Sequence, residues 1–397
     1  MAAGFMKNDT IAAVATAPLA AGVAVIRLSG PQAKAVACAL CPSFANTPAR
    51  KMHFAPLVHN GDELDESLLV AFNGPHSFTG EDVVEIHCHG GRAVVQGVLN
   101  ALMAQEGVRA AEGGEFSRRA FINGKMDLTE AEGLADLIAA DTEEQRRQAL
   151  RQMQGELGQR FEKWRGDILH LVAHVEAAID FPDEELEVLE QAGLKGGIQS
   201  LLADFEQAIA ANAGRRMRDG FSVAVLGRPN AGKSTLTNLL TGKETAIVSP
   251  IEGTTRDVLE THLNVGGFPV VLADTAGFRL TDDVIEKEGV KRAKDKAAQA
   301  DLVILVADST TWPETQTDIL DCLQPARSLV VLSKADVAQK DVANTFEVDG
   351  HTYPVLHLNL TESTSLTPIL DALEGLVRAH YGSAQEAAQI TRERHRS

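Results

Sequence analysis

Gly227-Arg-Pro-Asn-Ala-Gly232-Lys233-Ser234 carries the G-x-x-x-x-G-K-S spacing of a phosphate-binding loop. Glycines let successive backbone N–H groups curl around phosphate oxygens, and a helix starting there adds the positive end of its dipole. Lys233 supplies a point charge for the outer phosphates, and the Ser234 hydroxyl suits magnesium. Asn230, Ala231, Gly232 and Thr235 complete the run expected to touch the nucleotide. A glycine-rich turn with no ligand is the competing reading. The apolar run before Gly227 and the helical pattern after Gly232 count against it.

Three later elements narrow the nucleotide to GTP. Gly253-Thr254-Thr255-Arg256-Asp257 sits in a loop, with Thr255 the natural second hydroxyl for the metal. Asp274-Thr275-Ala276-Gly277 is a D-x-x-G element: Asp274 can hold magnesium through water, and the Gly277 N–H can sense a γ-phosphate. Ser333-Lys334-Ala335-Asp336 follows an apolar run, and Asp336 can accept two N–H groups that guanine offers and adenine does not. Alone, that tetrapeptide would read as a turn. In this order it does not.

Strands are expected at Ser222–Leu226, Val258–Val265, Phe268–Ala273, Leu302–Ala307, Leu329–Leu332 and Val355–Leu358, with a Gly266-Gly267 hairpin turn. Helical patterns between most of them imply a doubly wound sheet with one antiparallel hairpin strand, over residues 219–381.

The whole chain has 397 residues and a formal charge of −18, with 44% hydrophobic residues, so two or three domains are expected. A pI near 5.1 argues against a chain-wide electrostatic grip on RNA or membrane. Four cysteines fit a reducing compartment. Cys38-x-x-Cys41, and Cys88 between His87 and His89, offer zinc-type ligands, but the second half of a standard spacing is missing. Ile11–Leu28 faintly resembles a signal peptide. Pro18, Gly22 and Arg27 favour two short strands and a turn, and a cytoplasmic location is expected.

Residues 1–122 mix short β-like and helical runs, giving a compact α+β domain. Its Gly74–Asp82, His87–Gly91 and Gly113–Lys125 stretches look like pocket-lining loops. Residues 123–218 turn to long helical stripes, such as Leu128, Ala131, Leu134, Ala135 and Ile138, and read as a helix bundle. Arg146, Arg147, Arg151, Arg160, Lys163 and Arg165 read as solvated faces rather than an RNA site.

The blocks TGEDVVEIHCHGG, GGEFSRRAFINGKMDLTEAEGLADLI, EAAIDFPDEE and GRPNAGKSTLTNLL resemble the MnmE (TrmE) family of tRNA wobble-uridine modification GTPases along essentially the whole chain. The resemblance implies an α/β P-loop GTPase domain inserted in a helical domain, preceded by an α+β folate-binding-like domain. It implies an N-terminal homodimer that binds a 5-formyl- or 5,10-methylene-tetrahydrofolate, with Arg27, Glu85 and Lys125 at the folate positions. It also implies an FAD-containing partner of the MnmG (GidA) type, and tRNA reached mainly through that complex. Phe278 stands where many small GTPases place a water-orienting glutamine, and Glu286 matches the family's replacement for it, with Lys233 and Thr255 completing the catalytic set. The offsetting charge is expected from potassium, held by Asn230, Ser249, Ile251 and Thr254.

Three departures stand out. Ser333 replaces the usual asparagine, and Asn359-Leu360-Thr361 replaces the usual Ser-Ala of the last guanine loop. The family's terminal Cys-x-x-Lys is not found, and residues 382–397 read as the start of a shortened C-terminal helical segment, so hydrolysis without completed modification is expected. An RNA-binding GTPase of the Era type, which should carry a basic KH-like module, and a non-catalytic folate-binding switch are the competing functions.

Overall fold

The computed structural model describes residues 9–180, 193–210, 213–242, 261–273, 295, 297–313, 320–337, 343–381 and 391–392. The chain divides into two compact units, Met1–Ala131 and Glu132–Ser397.

The first unit is a six-stranded sheet of β1 (Thr10–Val14), β2 (Ala21–Ser29), β3 (His53–His59), β4 (Asp62–Phe72), β5 (Val83–Gly90) and β6 (Val108–Ala110). Its spatial order is β3-β4-β5-β2-β1-β6, antiparallel except for the β1–β6 pair. The expected strand–turn–strand over Ile11–Leu28 is present as β1 and β2. Two helices, α1 (Ala33–Leu40) and α2 (Arg92–Met103), cover one face. Strand alternation sends Ile26, Leu28, Val84, Ile86 and Cys88 into that core and leaves Arg27, Glu85 and His87 on the other face. Gly113–Lys125, expected as a loop, instead contains a helix, α3 (Glu115–Ile122).

In the second unit, α4 (Leu128–Ile138), α5 (Glu143–Met153), α6 (Glu156–Asp180), α7 (Leu194–Ala210) and α8 (Ala213–Asp219) form the expected helical part; α4 begins just before the division between the units. Thr142 and Gln145 build a capping box that starts α5. Trp164 on α6 packs edge-on to Phe205 of α7, with centroids 4.7 Å apart. Gly133 allows a close approach between helices: a Cβ there would lie 2.5 Å from Met153 N.

The same unit holds β7 (Phe221–Leu226), α9 (Lys233–Leu240), β8 (Thr261–Val265), β9 (Phe268–Ala273), β10 (Leu302–Asp308), β11 (Ser328–Ser333), β12 (Thr345–Val348), β13 (His351–His357) and α10 (Leu366–Tyr381). The sheet order is β12-β13-β11-β10-β7-β9-β8. The five central strands run parallel, and β10 and β11 are almost wholly buried, as continuous apolar runs in a doubly covered sheet should be. Both edges are antiparallel, not one: β8 pairs β9 as expected, and β12 adds a second hairpin. One core lies on each face of the sheet.

Chain leaving the sheet returns to the helices. Arg392 Nη2 donates to Asp136 of α4 at 2.7 Å, and Thr391 Oγ1 donates to Gln152 of α5 at 3.2 Å. The nucleotide-type domain is thus inserted within the helical one. The start of α5 also touches it, through Glu144 N–H to Gly267 O at 3.2 Å.

Candidate functional site

At the end of β7 the backbone turns through Gly227, where φ is +149° and an added Cβ would lie 2.2 Å from Val306 O. Only glycine fits so close to β10. Asn230 (φ +62°) and Gly232 (φ +100°) then take left-handed conformations that wind the loop into the N-terminus of α9. This is the concave backbone that a polyphosphate requires. Lys233 Nζ reaches back across the loop and donates to Gly227 O and Arg228 O, both at 2.7 Å. Burial pushes its ammonium pKa down, so this desolvated cation is matched to an anion. Ala231 is buried, whereas Ser234 and Thr235 are exposed in the first turn of α9.

Two more loops meet this one. Ser333, at the end of β11 and 2% exposed, donates its hydroxyl to Ala231 O at 2.8 Å, with Ala307 O 3.2 Å away. Lys334 (φ +56°) places Nζ 2.5 Å from Asp308 Oδ2. Burial raises the Asp308 pKa, but the Lys334 contact and Thr310 outweigh it, and the net shift is downward. Asp336 is exposed. Ala335 N–H donates to Leu358 O, which ties the 333–336 loop to the one after β13. There Leu360 is 5% exposed, with Cδ1 3.2 Å from where a Gly232 Cβ would be. The phosphate loop, the Ser333–Asp336 loop and the Asn359–Thr361 loop therefore form one contiguous site. Ser249, Ile251, Thr254, Thr255, Asp274, Thr275, Ala276, Gly277 and Glu286 lie outside the described residues.

In the first unit, Arg27 and Glu85 are register partners on β2 and β5. Arg27 Nε and Nη2 both donate to Glu85 Oε1, at 2.9 and 2.7 Å. The guanidinium carbon lies 5.3 Å from the Phe78 ring and 5.7 Å from the Phe116 ring. Glu85 Oε2 faces His87 Nε2 at 3.6 Å, beyond hydrogen-bond range. Lys125 Nζ donates to Pro75 O at 3.0 Å, and its stem runs beside Gly80. It thus spans the same 74–82 loop that presents Phe78 to Arg27.

Residues 10–125 match the family described as GTP-binding protein TrmE N-terminus, and residues 128–397 match the MnmE helical domain. A tRNA modification GTPase MnmE of Caulobacter vibrioides is 46% identical, over 98% of this chain and 86% of that protein. Its counterpart in Parvibaculum lavamentivorans is 48% identical at the same coverages, and that of Paramagnetospirillum magneticum is 45% identical over 98% and 87%. The chain belongs to the MnmE family of tRNA modification GTPases.

An ion network that sequence reasoning missed ties several elements of the N-terminal unit together. Arg109 binds Asp9 and Glu115; Arg119 binds Asp9, Glu81 and Glu115. Glu115 is 3% exposed, and its hydrogen bonds from Arg109 outweigh burial and hold its pKa at about 2. Arg109 is pushed up correspondingly. This network clamps α3, and with it Phe116, to the chain around β1 and the 74–82 loop. No local signal could have revealed it, because Asp9 and Arg109 are a hundred positions apart in sequence.

The zinc-type residues are split by strand alternation. Cys88 points into the core toward Ala24 O, while His89 on the other face pairs with Asp65 at 2.7 Å. Among the described residues no three metal-ligating side chains cluster, and no helix is long and apolar enough to cross a membrane. Arg146 and Arg147 pair with Glu143 and Glu144 on an exposed helix face, as expected of solvated arginines.

Proposed function

We propose that this MnmE-family GTPase hydrolyses GTP as part of the machinery for 5-carboxymethylaminomethyl-type modification of wobble uridine, with a reduced folate bound by its N-terminal unit. Lys233 and the N–H groups opening α9 bind the phosphates. Ser234 and Thr255 would supply hydroxyls to magnesium, and Asp274 would hold it through water. Asp336 accepts the guanine N–H groups. Asn230, with Ser249, Ile251 and Thr254, would hold potassium, and Glu286 would align water once two such domains meet. Magnesium and potassium, when bound, supply the positive charge that offsets what develops on the phosphates. The residues present suit these ions: an exposed hydroxyl on the first turn of α9, and an amide oxygen on a left-handed loop residue.

The folate reading rests on one observation, the Arg27–Glu85 pair between two phenylalanine rings. Arg27 occupies Oε1, so Oε2 stays available to the N–H groups of a pterin, and an aromatic ring is at hand for stacking. Lys125 supplies a second cation for a glutamate carboxylate or a formyl oxygen. The protein acts as a homodimer through this unit, with an FAD-containing partner that brings in tRNA. Isothermal titration of the whole chain with 5-formyl-tetrahydrofolate tests the pocket. Saturable binding that weakens by about tenfold or more in Glu85→Ala is expected. No binding to the wild type, or full binding to the variant, would end the folate reading.

A further inference from the structure

Guanine shows donors at N1 and N2 on one edge and acceptors at O6 and N7 on another. The exposed Asp336 carboxylate is an acceptor and suits the first edge only. Reading N7 takes a donor, and the side chain three positions earlier, Ser333 at the end of β11, is one candidate source. A serine hydroxyl carries a single proton. In this chain that proton is already claimed: Oγ lies 2.8 Å from Ala231 O and 3.2 Å from Ala307 O, and the residue is 2% exposed. Turning it toward a base would leave a phosphate-loop carbonyl without this partner.

Among the described residues the neighbouring side-chain donors each have a protein partner as well. Lys334 Nζ sits on Asp308 Oδ2, and Ser309 Oγ donates to Lys334 O at 3.0 Å. Asn359 Nδ2 donates to Glu362 Oε1 at 2.8 Å, and Thr361 Oγ1 donates to Asn359 Oδ1 at 2.7 Å. Ser333 also sits close against the phosphate loop: its Cβ lies 3.3 Å from where a Cβ on Gly232 would be. A longer amide side chain could hold the phosphate loop and reach the base together; the serine can do only the first.

We infer that this GTPase reads guanine through the Asp336 edge and leaves N7 unread, with Ser333 acting as a fastener between β11 and the phosphate loop. The inference rests on the role proposed above for Asp336. It predicts a specificity pattern: indifference to what occupies position 7 of the base, alongside sensitivity to the 2-amino group.

The test is competition of GDP, 7-deaza-GDP and IDP against a ribose-labelled fluorescent GDP on the full chain. GDP and 7-deaza-GDP should agree within about twofold, the span below a single neutral hydrogen bond. A 7-deaza-GDP weaker than GDP by about fivefold or more would overturn the inference. In Ser333→Ala the ratio of the two affinities should stay as in wild type even if both affinities fall. A change in that ratio beyond about threefold would mean the hydroxyl does read N7, which also overturns it. Should that variant fail to fold, the wild-type comparison decides alone. IDP lacks the 2-amino group and should bind about tenfold or more weakly. Equal binding of IDP and GDP would sink the Asp336 reading instead, while the 7-deaza comparison would still decide N7.

Discussion

Glu115→Gln is the sharpest probe of how the N-terminal unit is held. The carboxylate accepts two hydrogen bonds from Arg109, one from Arg119 at 3.2 Å and one from Glu112 N–H at 2.9 Å. Its pKa of about 2, against an ordinary 4.5, measures how much the fold prefers the ionised form. At 1.36 kcal/mol per unit this amounts to about 3 kcal/mol at neutral pH. The folded pKa is the depressed one, so the stabilisation is complete above about pH 5 and is lost as pH falls toward about 2. Glutamine is nearly isosteric but uncharged, so two guanidiniums lose one carboxylate partner and are left to Asp9 and Glu81. Trp164 and Trp312 both lie outside residues 1–131, so tryptophan fluorescence does not report on this unit. Native-state hydrogen exchange over Val108–Ile122 does. Exchange through opening should be about a hundredfold faster in the variant at pH 7, with the gap falling below half in free energy near pH 3. A gap under about tenfold at pH 7, or one that is the same at both pH values, would refute the reasoning.

Two further outcomes concern the GTPase domain. Gly227→Ala drives a Cβ against Val306 O and should cost about 3 kcal/mol in the unfolding followed by Trp312, with nucleotide binding lost; a variant as stable as wild type would contradict the close approach. Hydrolysis should be faster in potassium than in sodium, and Asn230→Ala should abolish the difference; an alanine variant still stimulated by potassium would exclude Asn230 as a ligand.

Where local chemistry dictates the structure, the sequence could be read directly. The spacing from Gly227 to Ser234 demands a strand, a tight loop and a helix start, and β7, the left-handed Asn230 and Gly232, and α9 supply them. Buried parallel strands announced themselves as apolar runs at Leu302–Ala307 and Leu329–Leu332. The misses have physical causes. β3 contains Pro56, which argues against a central strand, yet β3 is an edge strand, where proline is tolerated. β12 went unseen although Asp349-Gly350 is a hairpin turn pair, both residues with positive φ. Half of α3 is apolar, but Phe121 and Ile122 are exposed rather than on a buried stripe, and its place is set by ion pairs to Asp9 and Glu81. Of the three residues that the resemblance puts at the expected folate positions, nothing in the sequence showed that Arg27 and Glu85 would grip each other, since strand pairing across 58 positions sets that contact.

The central claim, a working GTPase built on the described phosphate loop, is tested most directly by single-turnover GTP hydrolysis in potassium buffer, for the full chain and for Lys233→Ala. The wild type should turn over its bound GTP. The variant, deprived of the cation that spans Gly227 and Arg228, should be slower by about a hundredfold or more. A wild type that binds GTP without cleaving it, or a variant that hydrolyses at the wild-type rate, would contradict the account.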